Sequence, residues 1–194
     1  MLPQVLEIGA GEPFVAEILY RLGYEVWIAD PYDGSGKGPI ELERYRKECP
    51  NLHFVRSQFN DDIAGLAENS LDCVYSISVL EHIPDPGLLS VFKGMKKYLR
   101  PDGIHIHAID HLIRGNGANE HMAHLLKMIC CSGLTAAELK RVLTCMEADP
   151  ETYYLSAESH NRRRGSLPYS EFPMRVWVSI QIVGTRQMIS AVQE

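Results

Sequence analysis

The sequence has little of what marks several protein classes. Its 19 lysines and arginines are outnumbered by 25 aspartates and glutamates, for a formal net charge of −6. That balance supplies no general attraction to nucleic acid or to an anionic membrane surface. No apolar run reaches the roughly 20 residues needed to cross a bilayer. No basic residue precedes Arg21, so a secretory signal is not expected. The five cysteines are odd in number and scattered, and no CxxC pair occurs. They are expected to be reduced thiols in a cytoplasmic protein. Internal repeats and low-complexity tracts are also lacking. What remains, 45% hydrophobic and 23% charged residues in a chain of 194, suits one globular domain with a full core.

The most informative stretch comes first. Val5-Leu6-Glu7-Ile8-Gly9-Ala10-Gly11-Glu12-Pro13 reads as a buried strand, a glycine turn and a helix start. Gly9 and Gly11 let the backbone turn sharply and approach a ligand closely. Phe14, Val15, Ile18, Leu19 and Leu22 recur at helical spacing, and Gly23 closes the helix. A ligand over this turn would meet free N–H groups at a helix start.

Alternation of strands and helices continues along the chain. Strands are expected at 24–29, 52–55, 71–77 and 104–109, with helices at 40–48, 61–66 and 84–98 between them. This pattern implies an α/β fold with a largely parallel sheet. After Asp110 it changes to helices at 120–131 and 135–146, the second opened by the capping box Thr135-Ala136-Ala137-Glu138. Strand-like runs at 152–157 and 175–183 suggest an antiparallel finish. Residues 1–110 are expected to form a cofactor-binding half and 111–194 a substrate side, within one domain over 1–194.

In a doubly wound sheet, ligands sit beyond the carboxyl ends of the strands, where strand order reverses. Segments ending there supply Glu7, Gly9 and Gly11; Asp30; Gln58 and Phe59; and Ser76 and Ser78, followed by Leu80-Glu81-His82. An acid about 20 residues beyond a glycine turn is placed to accept both hydroxyls of a ribose. A dinucleotide turn wants a third glycine where Phe14 stands, which argues against a nicotinamide cofactor and an oxidoreductase. Glu7 suits a cationic ligand better than a pyrophosphate. Ser35-Gly36-Lys37 is not a phosphate loop, because Pro31 and Gly38 stand where Gly and Ser or Thr are required.

These stretches together, LEIGAGEP (6–13), Asp30, SLDCVYSISVLEHI (70–83) and LRPDG (99–103), resemble the class I S-adenosylmethionine-dependent methyltransferases, in particular the type 11 group. The resemblance covers about residues 4–110. It implies a Rossmann-like, doubly wound, mostly parallel seven-stranded sheet with an antiparallel C-terminal strand and helices on both faces. It further implies S-adenosyl-L-methionine as cofactor, with Glu7, Gly9, Ala10, Gly11, Asp30, Pro31, Gln58, Phe59, Ser76 and Ser78 forming its site. Two departures stand out. Gln58 replaces the family's usual Asp. Only Met1-Leu2-Pro3 precedes the first strand, where family members commonly place a covering helix. Either the chain is a truncated form, or a homodimer mate or partner chain is the expected cover.

The implied reaction is O- or N-methylation of a small-molecule acceptor, such as a sugar or secondary metabolite. The alternative is a non-catalytic partner subunit that keeps the fold. The charge balance argues against nucleic acid as the substrate. His111 and His82 are the candidate general bases, with Asp110 adjacent to His111. His105 and His107 share one strand face and are expected to be hydrogen-bonded core residues. His121 and His124 lie one helical turn apart, but no third ligand accompanies them, and no metal is expected. Tyr153, Tyr154, His160 and Arg162-Arg163-Arg164 are candidates for the acceptor side, the arginines suiting an acidic or phosphorylated acceptor.

Overall fold

The structure, a computed structural model, describes residues 2–35, 38–113, 117–149, 157–164, 168 and 177–189. The strands are β1 (Gln4–Ile8), β2 (Glu25–Ala29), β3 (His53–Val55), β4 (Leu71–Ile77), β5 (Leu99–Leu112) and β6 (Trp177–Thr185). They make one sheet in the order β3-β2-β1-β4-β5-β6. All neighbours are parallel except β5 and β6, which pair antiparallel from Ile104 opposite Thr185 to Leu112 opposite Trp177. The chain winds outward from β1 to β3, then returns to place β4 on the other side of β1. Strand order therefore reverses between β1 and β4, and a crevice opens beyond their carboxyl ends.

The helices are α1 (Phe14–Arg21), α2 (Leu42–Glu48), α3 (Asp85–Tyr98), α4 (Ala118–Cys131), α5 (Ala136–Ala148) and α6 (Ala157–Arg164), with a single 3-10 turn at Leu80–His82. Side chains alternate across a strand, so the sheet supplies two cores. Leu6 and Ile8 of β1 join α3, α4 and α5 residues on one face, while Val5 joins Ala16, Leu42 and Tyr45 of α1 and α2 on the other. The capping box at α5 is present: the Glu138 N–H donates to Thr135 Oγ1 (3.3 Å) and the Thr135 N–H to Glu138 Oε2 (2.7 Å). Among the described residues, no helix is long and apolar enough to cross a membrane.

The structure differs from expectation at four points, and a fifth expectation lies largely outside the described residues. The sheet has six strands among the described residues instead of seven. The strand expected at 152–157 falls on residues 151–156, outside the described residues, and Ala157 instead opens α6, where Glu158 and Arg162 pair at i,i+4. Residues 61–66 form turns, not a helix. Local side chains take the backbone donors there: Asn60 Oδ1 accepts from the Asp62 N–H, the Tyr98 hydroxyl accepts from the Ile63 N–H, and Gly65 has φ +81°. His111 lies within β5, not beyond it, because pairing with Val178 prolongs the strand. Finally, the apolar stripe of α1 is only partly used. Ala16 is buried, whereas Phe14, Ile18 and Leu22 are exposed.

Candidate active site

The turn after β1 is forced open by its glycines. Gly9 and Gly11 sit at φ +65° and +57°, the left-handed region that costs other residues about 1–2 kcal/mol. A Cβ on Gly9 would also lie 2.8 Å from a Val79 methyl, so this glycine is required for space as well as for conformation. At the end of β2, Asp30 turns its carboxylate toward this loop. Its Oδ2 accepts from the Gly11 N–H (3.2 Å) and its Oδ1 from the Tyr32 N–H (2.8 Å). Each oxygen keeps a further lone pair for a ligand. After β4, Ser78 adopts φ +53° and donates its N–H to Ala108 O (2.9 Å), a strained conformation at the lip of the crevice.

These turns enclose a cavity of about 630 Å³ walled by Gly9, Gly11, Asp30, Gln58, Phe59 and Ser78, among others. Its described lining holds the carboxylates of Asp30 and Asp33 and no lysine or arginine. Beneath it Glu7 is buried, and its Oε2 accepts from the Tyr75 hydroxyl at 2.8 Å. Burial pushes the Glu7 carboxyl up to about 7, against the lowering effect of the Tyr75 hydroxyl and the Ala16 backbone. Burial also raises the Tyr75 hydroxyl above its ordinary range.

A second cavity of about 320 Å³ adjoins the first, sharing His82, Ile83 and Pro84 as a common wall. Carboxylates and imidazoles dominate its polar lining: Glu81, Asp110, Glu120, His111, His121 and His124. Glu81 Oε1 accepts from the Asp110 N–H (2.9 Å), while its Oε2 is buried without a partner among the described residues. Burial raises the Glu81 carboxyl above its ordinary range. His111 is 1% exposed, its Nε2 is likewise unpartnered among the described residues, and burial lowers it to about 4. His121 packs between His111 and the Trp177 ring. His124 Nε2 lies 3.1 Å from Leu80 O, with Asp85 3.3 Å from its other nitrogen. Among the described residues, no group of three or more His, Cys, Asp or Glu is arranged to hold a metal ion.

Residues 2–145 match the family described as "Methyltransferase domain". The chain belongs to this family. It is 31% identical over 102 residues to the ubiquinone biosynthesis O-methyltransferase of Vibrio campbellii, covering 52% of this chain and 40% of that protein. The corresponding Ruegeria pomeroyi enzyme is 29% identical over 103 residues, covering 53% and 39%. The chain thus spans less than half the length of these curated relatives. In fold it is similar to phospholethanolamine N-methyltransferase 2 of Haemonchus contortus, with a TM-score of 0.57 at 16% identity, over 95% of this chain and 49% of that one.

In this methyltransferase domain, seven of the ten expected cofactor residues line the larger cavity: Gly9, Gly11, Asp30, Pro31, Gln58, Phe59 and Ser78. Glu7, Ala10 and Ser76 do not. Glu7 lies below the cavity on Tyr75, and Ser76 is buried with its hydroxyl 2.8 Å from His107 Nδ1. His82 is exposed and lines both cavities, and His111 lines the smaller one. Tyr153 and Tyr154 lie outside the described residues, as do the side chains of His160, Arg163 and Arg164. Arg162 is exposed and pairs with Glu158 on α6. Sequence reasoning singled out His82 and passed over its neighbour Glu81. A half-buried acid behind a strand end leaves no periodic signal, and only the fold shows that the Asp110 N–H orients it.

Proposed function

We propose that the domain binds S-adenosyl-L-methionine in the larger cavity and transfers its methyl group to a small-molecule acceptor held in the smaller one. The observation that carries this reading is Asp30: its carboxylate meets the Gly11 amide across the crevice, where it can accept ribose hydroxyls. The chain's residues fit the cofactor in three further respects. The space beside Gly9 and Gly11 admits an approaching ligand to the backbone. Gln58 can hydrogen-bond an adenine edge above Phe59. Among the described residues the lining is acidic, with no lysine or arginine, which suits a sulfonium and opposes a pyrophosphate.

When bound, the cofactor supplies an electrophilic methyl carbon on a positively charged sulfur. The protein's own contribution is alignment of the acceptor, worth about 7–11 kcal/mol where it is complete. His82, in the wall between the cavities, is placed to border both ligands. The curated relatives are named as O-methyltransferases and the Haemonchus contortus enzyme as an N-methyltransferase, so both acceptor atoms fall within this reading. The proposed cofactor cavity is lined from the 1–110 half alone, while the proposed acceptor cavity draws on both halves, 81–110 and 111–128.

A second reading, a non-catalytic subunit assembled with a homodimer mate or another chain, is favoured by the exposed Phe14, Ile18 and Leu22 on α1. Titration calorimetry with S-adenosylhomocysteine separates the two. The intact protein is expected to bind, and Asp30→Ala to lose at least about tenfold in affinity, equal to about 1.4 kcal/mol, as for loss of a charged hydrogen bond. No binding by the intact protein would reject the methyl-transfer reading.

A further inference from the structure

The smaller cavity carries a charge pattern that selects its ligand. Its polar wall presents three carboxylates, Glu81, Asp110 and Glu120, and among the described residues no lysine or arginine. Two polar atoms of its lining residues, Glu81 Oε2 and His111 Nε2, are buried without partners among the described residues. A buried, unpartnered carboxylate oxygen is costly, and a ligand that donates to it recovers that cost. We propose that this cavity recognises an amine, bound as its ammonium through Glu81 Oε2, with an apolar body against Ile109, Leu125 and Met128. The proposal rests on the reading above that this cavity holds the methyl acceptor, and it names the acceptor's chemical class.

Three observations favour an amine over a hydroxyl or an acid. An acid acceptor would meet three like charges. A hydroxyl acceptor must shed its proton to react well, and the resulting oxyanion would face the same carboxylates. Burial lowers the His111 imidazole to about 4, which weakens it as a base for a hydroxyl. An amine avoids both difficulties. Its ammonium gives one proton to Glu81 Oε2, leaving a neutral nitrogen with a free lone pair and a protonated carboxyl. Water at the cavity mouth then takes that proton. Burial raises the Glu81 carboxyl toward this task, and the Asp110 N–H on Oε1 holds Oε2 in place. The methylated nitrogen is again cationic, and the remaining carboxylates stabilise the charge as it develops.

The test uses three probes that share a benzyl group: phenethylamine, 2-phenylethanol and phenylacetate. Each is titrated calorimetrically into the intact protein at pH 8, with and without saturating S-adenosylhomocysteine. Phenethylamine is expected to bind at least tenfold more tightly than 2-phenylethanol, and phenylacetate not to bind. Glu81→Gln keeps an acceptor for the Asp110 N–H, so its fold is retained. It is expected to weaken phenethylamine about tenfold while leaving 2-phenylethanol and S-adenosylhomocysteine unchanged. Glu120→Gln, at an exposed position, is expected to weaken the amine less than threefold. Equal or tighter binding of the alcohol or the acid overturns the proposal, and so does a protein that binds S-adenosylhomocysteine but none of the probes. Amine preference without S-adenosylhomocysteine binding would strike the methyl-transfer reading alone.

Discussion

His105→Leu is expected to make the protein more stable, and the gain is expected to grow on acidification. His105 and His107 are both 0% exposed, stacked with ring centroids 5.3 Å apart and edge-on to Phe92. His107 has Ser76, but neither His105 nitrogen has a partner among the described residues. Burial lowers His105 to about 4 from the ordinary 6.5. A histidine whose pKa falls on folding stays neutral in the native state while the unfolded chain takes up a proton. Its contribution is therefore intact above pH 6.5 and lost as pH falls toward 4. At pH 5 that loss is about 2 kcal/mol, from about 1.5 pH units at 1.36 kcal/mol each. Leucine removes two unsatisfied polar atoms, worth about 1 kcal/mol at any pH. The difference between the two proteins is thus expected to rise from about 1 kcal/mol at pH 7.5 to about 3 at pH 5. Urea unfolding at both pH values measures it. Glu7 titrates in the same window with the opposite sign, since its raised pKa favours the native state on acidification. It is common to both proteins and cancels. A pH-independent difference would show that His105 is solvated.

Gly133→Ala is expected to cost about 3 kcal/mol or more. Gly133 closes α4 at φ +73°, and a Cβ there would lie 1.8 Å from the Met188 carbonyl oxygen and 2.6 Å from its carbon. Left-handed strain contributes about 1–2 kcal/mol, and forcing backbone apart adds about 1–3. Gly117 at φ +87° is the control, because a Cβ there meets nothing within 4 Å among the described residues. Gly117→Ala is expected to cost the strain alone. Thermal melts of the two variants separate conformation from crowding, and equal shifts would remove the contact with Met188 from the account.

The inner strands were legible because short runs rich in apolar and β-branched residues between turn residues read as buried strands, as Leu71–Ile77 and Ile104–Ile109 do. Gly9, Gly11 and Asp30 were legible because a tight turn and a strand-end acid need particular residue types at a fixed separation. Side-chain partners were not. Composition does not tell a histidine paired with Ser76 from one packed dry against Phe92, and the reading that both His105 and His107 are hydrogen-bonded fails for His105. Helical spacing placed α1 but not its buried side, since Phe14, Ile18 and Leu22 form a stripe that faces away from the sheet. Glu81 was hidden beside His82 in one short stretch, where only the 3-10 turn decides that the acid points inward and the imidazole stays exposed.

The partition formed by residues 82–84 has a thermodynamic corollary. An occupant of one chamber that immobilises this partition spares the next occupant part of the same ordering cost. Reciprocity then requires each to tighten the other by an identical factor, whichever arrives first.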